Sequence, residues 1–223
     1  MEFRHEWKHE ITWGDLLALR RRLGAVARPD SHGEQGRYRI RSLYFDTPTD
    51  RVLREKIDGV DRREKFRIRC YDLDFSLIRL ERKSKRGGLC KKEAVPLAAG
   101  EVRAIAAGDL AWMAASDRDL VWELRQAMVG GRLEPRTIVD YTREAFVFGP
   151  GEVRVTLDYG VRTGLRSTAF LDPGCATVPV EGDPVILEVK WGAFLPDIIR
   201  DAVSLSNRRA GAFSKYAACR GYG

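Results

Sequence analysis

Two short runs decide the fold predicted for this chain: K-F-R-I-R-C-Y at Lys65–Tyr71 and I-R-L-E-R-K at Ile78–Lys83. Successive side chains of a β-strand point to opposite faces, so each run has an apolar face and a charged face. The charged faces carry Lys65, Arg67, Arg69, Arg79, Glu81 and Lys83. The link between the runs is short enough for a hairpin. We therefore predict two adjacent strands with one apolar face and one face crowded with cations.

The cationic face has two interpretations. Like charges on one face destabilise a sheet unless anions lie among them. A solvated surface is the simpler interpretation of a single strand, whereas a binding surface for a polyanion requires that the pattern recur. It recurs in alternating runs that contain Glu6 and Lys8, Arg39 and Arg41, Arg143, Arg154, and Glu188 and Lys190. The repetition favours a surface that binds a polyanion.

Composition limits the class of protein. The chain has 223 residues, of which 44% are hydrophobic, enough for a single domain over residues 1–223 with a proper core. A net charge of +7 favours an anionic partner, which can be nucleic acid, acidic lipid or a phosphorylated small molecule. The four cysteines form no C-x-x-C pair, the first ten residues are rich in charge, and no apolar run approaches the roughly 20 residues of a membrane span. A cytoplasmic protein with reduced thiols is expected.

The segment His5–His9 spells H-E-x-x-H, the pattern of zinc proteases. That chemistry requires a helix, on which both histidines reach one metal. A helix start signal comes only later, at Thr12 with Asp15, and His32 is the only other histidine. We therefore interpret the segment as a strand and not as a metal site.

Helical periodicity is predicted in five segments: Asp15–Leu23, Thr49–Ile57, Glu101–Ala107, Asp117–Met128 and Pro196–Leu205. In the first segment, Leu16, Leu17 and Leu19 are expected to face the core. Asp46 precedes the second segment and is expected to be a turn or capping residue.

The charged strand faces also predict an architecture. Small β-barrels ordinarily place apolar side chains inside. Here, apolar faces packed against helices would leave the charged faces to line an interior. We predict an α+β fold: a closed antiparallel β-barrel tunnel with a polar, cationic lumen and helices packed outside. A chain of phosphates suits such a lumen, and the interspersed carboxylates suit Mg²⁺ or Mn²⁺ that bridges phosphates for phosphoryl transfer.

Seven short motifs occur along the chain, and their order is as informative as the motifs themselves. They are Y-F-D-T from Tyr44, K-F-R-I-R-x-Y from Lys65, L-E-R-K from Leu80, Y-T-R from Tyr141, R-V-T-L-D from Arg154, L-E-V-K from Leu187 and F-S-K-Y from Phe213. The set resembles the VTC domain, the polyphosphate polymerase domain of the triphosphate tunnel metalloenzyme (CYTH-like) superfamily, in a stand-alone bacterial form. The resemblance implies a tunnel of about eight antiparallel strands that binds ATP or another triphosphate, inorganic polyphosphate, and Mn²⁺ or Mg²⁺. It also implies transfer of the γ-phosphoryl group of ATP to a growing polyphosphate chain.

The resemblance assigns roles to individual residues. The catalytic phosphate ligands would be Lys8, Arg67, Arg69, Lys83, Arg143, Arg154, Lys190 and Lys215. Further substrate contacts would be Lys91 and Ser214. The alternating cationic pattern adds three more predicted contacts: Arg39, Arg41 and Lys65. The metal ligand would be Glu188, with Glu6 or Glu81 assisting, and Asp158 is either another metal ligand or the partner of an arginine.

Several alternatives stay open at this point. Either Lys91 or Lys92 is the tunnel cation on its strand. A hydrolase of triphosphates in the same tunnel and a polyphosphate-binding module without turnover are alternatives to the polymerase. Nucleic acid is not expected as a partner, because aromatic side chains fall on the faces opposite the cations. A membrane-protein partner at the inner face of a membrane is expected to serve product export.

Overall fold

A computed structural model describes residues 5–87, 89–205 and 213–221. Its strands are β1 (His5–Ile11), β2 (Arg28–Pro29), β3 (Arg37–Asp46), β4 (Arg63–Tyr71), β5 (Asp74–Arg86), β6 (Leu89–Leu97), β7 (Glu134–Phe148), β8 (Val153–Thr163), β9 (Val178–Pro179) and β10 (Val185–Trp191). Its α-helices are α1 (Trp13–Val26), α2 (Arg51–Ile57), α3 (Ala99–Ala106), α4 (Asp119–Val129), α5 (Asp197–Ala202) and α6 (Lys215–Arg220). The fold is therefore α+β, as predicted.

The strands form one large sheet. Hydrogen bonds connect them in the order β1-β10-β8-β7-β3-β4-β5-β6, with β2 beside β7 and β9 beside β8. The pairs β1–β10, β10–β8, β3–β4, β4–β5 and β5–β6 are antiparallel. Within the described residues, no strand pairing joins β1 to β6, so closure of the sheet into a barrel stays a prediction.

The chain divides into two compact units. The first unit comprises Met1–Arg39, Tyr141–Val161 and Pro179–Ser214, and the second comprises Ile40–Asp140, Arg162–Val178 and Lys215–Gly223. Each unit has its own hydrophobic core. The long strands β3, β7 and β8 contribute residues to both units.

In the first unit, α1 and α5 pack on the apolar face of β8 and β10. The core residues are Leu16, Leu19, Leu23, Val153, Val155, Leu157, Tyr159, Val185, Leu187, Val189 and Ile199. Because side chains alternate, the opposite face of the same strands is left for Arg154, Thr156, Glu188 and Lys190. The predicted alternation of β8 and β10 is thus confirmed, including the contact of the apolar face with helices.

The start of α1 follows the predicted signal. The Thr12 hydroxyl accepts a hydrogen bond from the Asp15 amide at 3.1 Å, and the Asp15 carboxylate accepts one from the Thr12 amide at 2.9 Å, which forms a capping box. The prediction that Leu17 faces the core was wrong, since 58% of Leu17 is exposed. Leu16 and Leu19 define the buried stripe, and a residue next to Leu16 is rotated about 100° around the helix axis.

In the second unit, β4 and β5 form the predicted hairpin. Asp72 and Leu73 make its two-residue turn, with φ angles of 50° and 58°, as a type I′ turn requires. The apolar face packs against α2, α3 and α4 through Val52, Phe66, Ile68, Cys70, Ile78, Leu80, Val102, Ile105, Leu120, Val121 and Leu124. The charged face of the hairpin is therefore free of the core.

The segment His5–His9 lies in β1, as the strand interpretation predicted. Four residues of a strand span about 13 Å, so the two histidines are not placed as neighbours on one helix face. In β1, Glu6 instead pairs in register with Lys190, and Lys8 pairs with Glu188.

Candidate functional site

The first unit holds a compact cluster of two lysines and two glutamates on β1 and β10. The Lys8 Nζ lies 3.1 Å from Oε2 of Glu188 and 3.0 Å from Oε1 of Glu6. The Lys190 Nζ contacts the other carboxylate oxygen of Glu188 and lies 4.0 Å from Oε2 of Glu6. The strand register explains the cluster, because all four side chains share one face of two paired strands.

The charges in this cluster hold each other ionised. Burial opposes ionisation of Glu188, which is only 7% exposed, but Lys190 and Lys8 outweigh it and hold the pKa of Glu188 well below its ordinary value. Burial likewise disfavours the charged form of Lys8, but Glu188 and Glu6 raise its pKa above the ordinary value. Glu188 and Lys8 are therefore held as ions by their neighbours although burial disfavours both charges.

The pair of carboxylates is the best place for a divalent cation. Mg²⁺ is commonly held by one or two carboxylates together with substrate phosphates and water. Glu188 and Glu6 supply two such carboxylates, although lysines now contact both of them. Among the described residues, no group of three or more His, Cys, Asp or Glu side chains is arranged to hold a metal. The residues thus fit a metal ion that takes some of its ligands from phosphate, rather than one coordinated by protein side chains alone.

Two arginines of the first unit are each held by a buried aspartate. Arg143 donates to both oxygens of Asp158, at 2.7 and 2.8 Å, and Asp158 has no exposed surface. Of the two roles considered for Asp158, the structure supports that of arginine partner. Arg154 contacts Asp30 at 2.6 Å and donates to the Tyr38 hydroxyl at 2.8 Å.

The second unit holds a separate cluster around one buried carboxylate, that of Glu81. Arg67 donates from Nε to Oε2 of Glu81 at 2.7 Å, and the Lys92 Nζ lies 2.7 Å from Oε1. Arg69 Nη1 lies 3.9 Å from Oε2, and Arg69 also donates to the Ser42 hydroxyl at 3.1 Å. Burial opposes ionisation of Glu81, but Arg67, Arg69 and Lys92 lower its pKa well below the ordinary value. One carboxylate therefore organises three cations.

Further lysines extend this charged face. Lys65 lies opposite Lys83 in the β4–β5 pairing, and Lys83 lies opposite Lys92 in the β5–β6 pairing. The Lys65 Nζ lies 6.0 Å from the centre of the Tyr44 ring. These lysines add to the three cations around the Glu81 carboxylate, so positive charge is concentrated on this face. Glu81 stands alone among these cations, which makes it a poorer metal ligand than the Glu6–Glu188 pair.

Two predicted substrate contacts need correction. Arg41 has no exposed surface and donates from Nε and Nη2 to Asp140 at 3.0 Å each. It pairs in register with Cys70 on the apolar face of β4. Arg41 is thus a buried structural cation, and the alternation of β3 puts Arg39 on the same strand face.

Lys91 also lies on the other face from Glu81. Its Nζ lies 2.7 Å from Glu93, which accepts hydrogen bonds from Arg82. Of the two neighbouring lysines of β6, Lys92 therefore lies on the face that carries Glu81, and the role of either lysine as a tunnel cation stays a prediction. The remaining predicted residues, Ser214 and Lys215, are half-buried; Lys215 begins α6 and Ser214 directly precedes it.

The sequence argument missed four residues of these clusters: Ser42, Tyr44, Asp30 and Tyr38. Ser42 and Tyr44 had a usable signal, because they alternate along β3 and pair in register with Arg69 and Arg67. No signal in the sequence marked Asp30, since it lies in a polar loop segment far in sequence from Arg154.

Comparison with known proteins gives the family. Residues 3–222 match the profile of the VTC domain. No curated protein matches the chain. Among solved structures, it is similar to a proposed adenylate cyclase from Bacillus halodurans, with a TM-score of 0.54, 13% identity and coverage of 86% of this chain and 82% of that one.

Two further solved structures are similar at lower scores. A protein from Pyrococcus horikoshii has a TM-score of 0.46 and 12% identity, with coverage of 91% and 85%. A conserved hypothetical protein from Pyrococcus furiosus has a TM-score of 0.43 and 11% identity, with coverage of 90% and 85%. Across the described residues, no helix has both the length and the apolar character to cross a membrane.

Proposed function

Because the chain belongs to the VTC domain family, we propose that it is a metal-dependent polyphosphate polymerase that transfers the γ-phosphoryl group of ATP to a growing polyphosphate chain. In this proposal the sheet closes into a tunnel of about eight strands, with the charged faces inside and the helices outside. The observation that supports it best is the concentration of cations around Glu81. Arg67, Arg69 and Lys92 lie around one carboxylate, and a face rich in cations attracts a polyanion.

The cations suit phosphoryl transfer. A transferring phosphoryl group spreads negative charge over its oxygens, and catalysis consists mainly of positioning and charge stabilisation. Arginines held by a carboxylate are already oriented and can offer their remaining donors to phosphate oxygens. In this role Arg67, Arg69, Arg143 and Arg154 bind and orient the phosphates, and Lys8, Lys83, Lys190 and Lys215 add compact charges.

The Glu6–Glu188 pair would hold the divalent cation. Phosphates that bind near Lys8 and Lys190 would draw these ammonium groups away and leave carboxylate oxygens for Mn²⁺ or Mg²⁺. When bound, such a metal neutralises charge on bridging phosphate oxygens. The work of this chain's own residues is to hold Glu188 ionised, to which Lys190 and Lys8 both contribute.

The test is incubation of the purified protein with ATP and Mn²⁺, followed by a gel that separates polyphosphate by length. A ladder of long polymer that forms with the wild type and not with Glu188→Ala would support the polymerase. Free phosphate and ADP without a ladder would overturn it in favour of a triphosphate hydrolase. Saturable triphosphate binding without turnover would instead indicate a polyphosphate-binding module.

A further inference from the structure

Tyr44 has an unusual environment for a buried phenol. It is only 4% exposed, and its hydroxyl oxygen accepts a hydrogen bond from Nη1 of Arg67 at 3.0 Å. The Arg67 guanidinium carbon and the Lys65 Nζ lie 5.8 and 6.0 Å from the centre of its ring. The oxygen thus faces cations, and within the described part of the chain no carboxylate or carbonyl accepts its proton.

The charged groups around Tyr44 come from several elements. Lys65, Arg67 and Arg69 of β4 act on Tyr44 directly. Their neighbours follow: Glu81 of β5 and Lys92 of β6 lie beside Arg67 and Arg69, and Asp46, Asp50 and Arg220 act on the stacked Tyr216. Glu81 is engaged by Arg67 and Lys92. Burial raises the pKa of Tyr44, but Arg67, Lys65 and Arg69 outweigh it and lower that pKa to about 7.

A neighbouring tyrosine shows the opposite behaviour. The ring of Tyr216 stacks on that of Tyr44, with centres 5.1 Å apart and planes 25° apart. The Tyr216 hydroxyl donates to Asp46 at 2.6 Å, and burial together with Asp46 raises its pKa. The two stacked phenols therefore differ in the partner of the hydroxyl: the Tyr216 hydroxyl donates to a carboxylate, whereas the Tyr44 hydroxyl accepts from a guanidinium.

We propose that Tyr44 is the internal anion of the triphosphate site, with a phenolate oxygen that balances Arg67, Lys65 and Arg69 and takes up a proton when phosphates bind these cations. This inference rests on the proposed function, since it needs a polyanion at this cluster. The proton comes from the buffer, and no covalent bond to the substrate forms. Before binding, Tyr44 also positions Arg67 through its hydrogen bond.

The coupling follows from electrostatics. Phosphate charge that neutralises the cations removes what stabilises the phenolate, so the phenol becomes the favoured form. By linkage, a proton on Tyr44 strengthens phosphate binding to the same extent that phosphate strengthens proton binding. At neutral pH, near the pKa of Tyr44, binding should therefore take up a fraction of a proton through Tyr44.

Titration calorimetry with tripolyphosphate at pH 7, in two buffers of different ionisation enthalpy, tests the inference. The wild type should take up measurably more protons, up to one per site, than Tyr44→Phe, which keeps the ring and its stack. Tyr216→Phe is the matched control and should take up protons as the wild type does. Protons exchanged by tripolyphosphate itself are common to all three proteins.

Two failures can be told apart. A wild type that binds tripolyphosphate with the same proton uptake as Tyr44→Phe overturns this inference and leaves the proposed function standing. A wild type that does not bind tripolyphosphate overturns both. A second readout uses the wild type alone: tyrosinate absorbance at neutral pH should fall on addition of tripolyphosphate, and an unchanged spectrum would contradict the proposal.

Discussion

Arg143 and Asp158 form a two-point ion pair in which Nε donates to Oδ1 at 2.7 Å and Nη2 donates to Oδ2 at 2.8 Å. The Asp158 side chain is fully buried, and the Arg143 side chain is only 14% exposed. Burial opposes the charge on Arg143, but Asp158 keeps its pKa well above the ordinary value. Asp158 therefore fixes the orientation of an arginine that the proposed function assigns to phosphate.

Asp158→Asn should lower the free energy of unfolding by roughly 3–5 kcal/mol, because it leaves the Arg143 charge buried without its partner. Urea denaturation followed by circular dichroism measures the change. Asp201→Asn, which alters an exposed carboxyl group on α5, should change stability by less than about 0.5 kcal/mol. A loss of similar size in both variants would show that the pair contributes little. Tripolyphosphate should restore part of the stability of Asp158→Asn, since phosphate can replace the missing anion.

Glu188→Gln tests the metal assignment while keeping the shape of the side chain. It removes the charge that lies between Lys8 and Lys190, so the loss in Mn²⁺-dependent turnover should exceed the roughly 10–100-fold typical of changes around a metal ligand. Turnover is measured as ADP release over a range of Mn²⁺ concentrations. Glu10→Gln, on the same strand as Lys8 but exposed, is the control. An unchanged Mn²⁺ dependence in Glu188→Gln would remove Glu188 from the metal site.

Sequence alternation was enough to predict the faces of β4, β5, β8 and β10, because the pleat of a strand fixes which side chains share a face. The helix start at Thr12 and the capping role of Asp46 were also predictable, since both act within a few residues. Asp46 indeed accepts hydrogen bonds from the amides of Val52 and Leu53, at 2.8 and 3.0 Å, at the start of α2. Rules that act within a few residues were therefore enough to predict these helices and strands and their apolar faces.

Pairing between distant segments was beyond the sequence argument. Arg41 had the same alternating context as Arg67, but a one-residue shift of register moves a side chain to the opposite face. Its partner Asp140 is 99 residues away, and nothing local marks the two as neighbours. Lys91 and Lys92 stayed open alternatives for the same reason, because which of them shares a face with Glu81 depends on the register of β6 against β5.

Acid should destabilise the protein in part through Glu81. Its pKa is depressed in the folded state, so its contribution to stability is complete above its unfolded value of about 4.3 and is lost as the pH falls below it. Glu81→Gln should be less stable at pH 7 and should show a shallower fall in stability below about pH 4.5. Urea denaturation at a series of pH values measures both quantities. The Glu10→Gln control should keep the wild-type slope, and a wild-type slope in Glu81→Gln would contradict the prediction.

The neighbouring lysines of β6 provide a matched pair for the substrate site. Lys92→Ala and Lys91→Ala each remove one positive charge. Of the two lysines, Lys92 forms an ion pair with Glu81, beside Arg67 and Arg69, whereas Lys91 forms one with Glu93. A hydrogen bond to a charged group contributes roughly 1.5–3 kcal/mol, so Lys92→Ala should weaken tripolyphosphate binding at least about tenfold. Lys91→Ala should change the affinity by less than about twofold, since a lost surface charge is screened by salt. Calorimetric titration of both variants at one ionic strength measures this. Equal losses would mean that affinity follows net charge alone, and a larger loss in Lys91→Ala would move the site to the other face of β6.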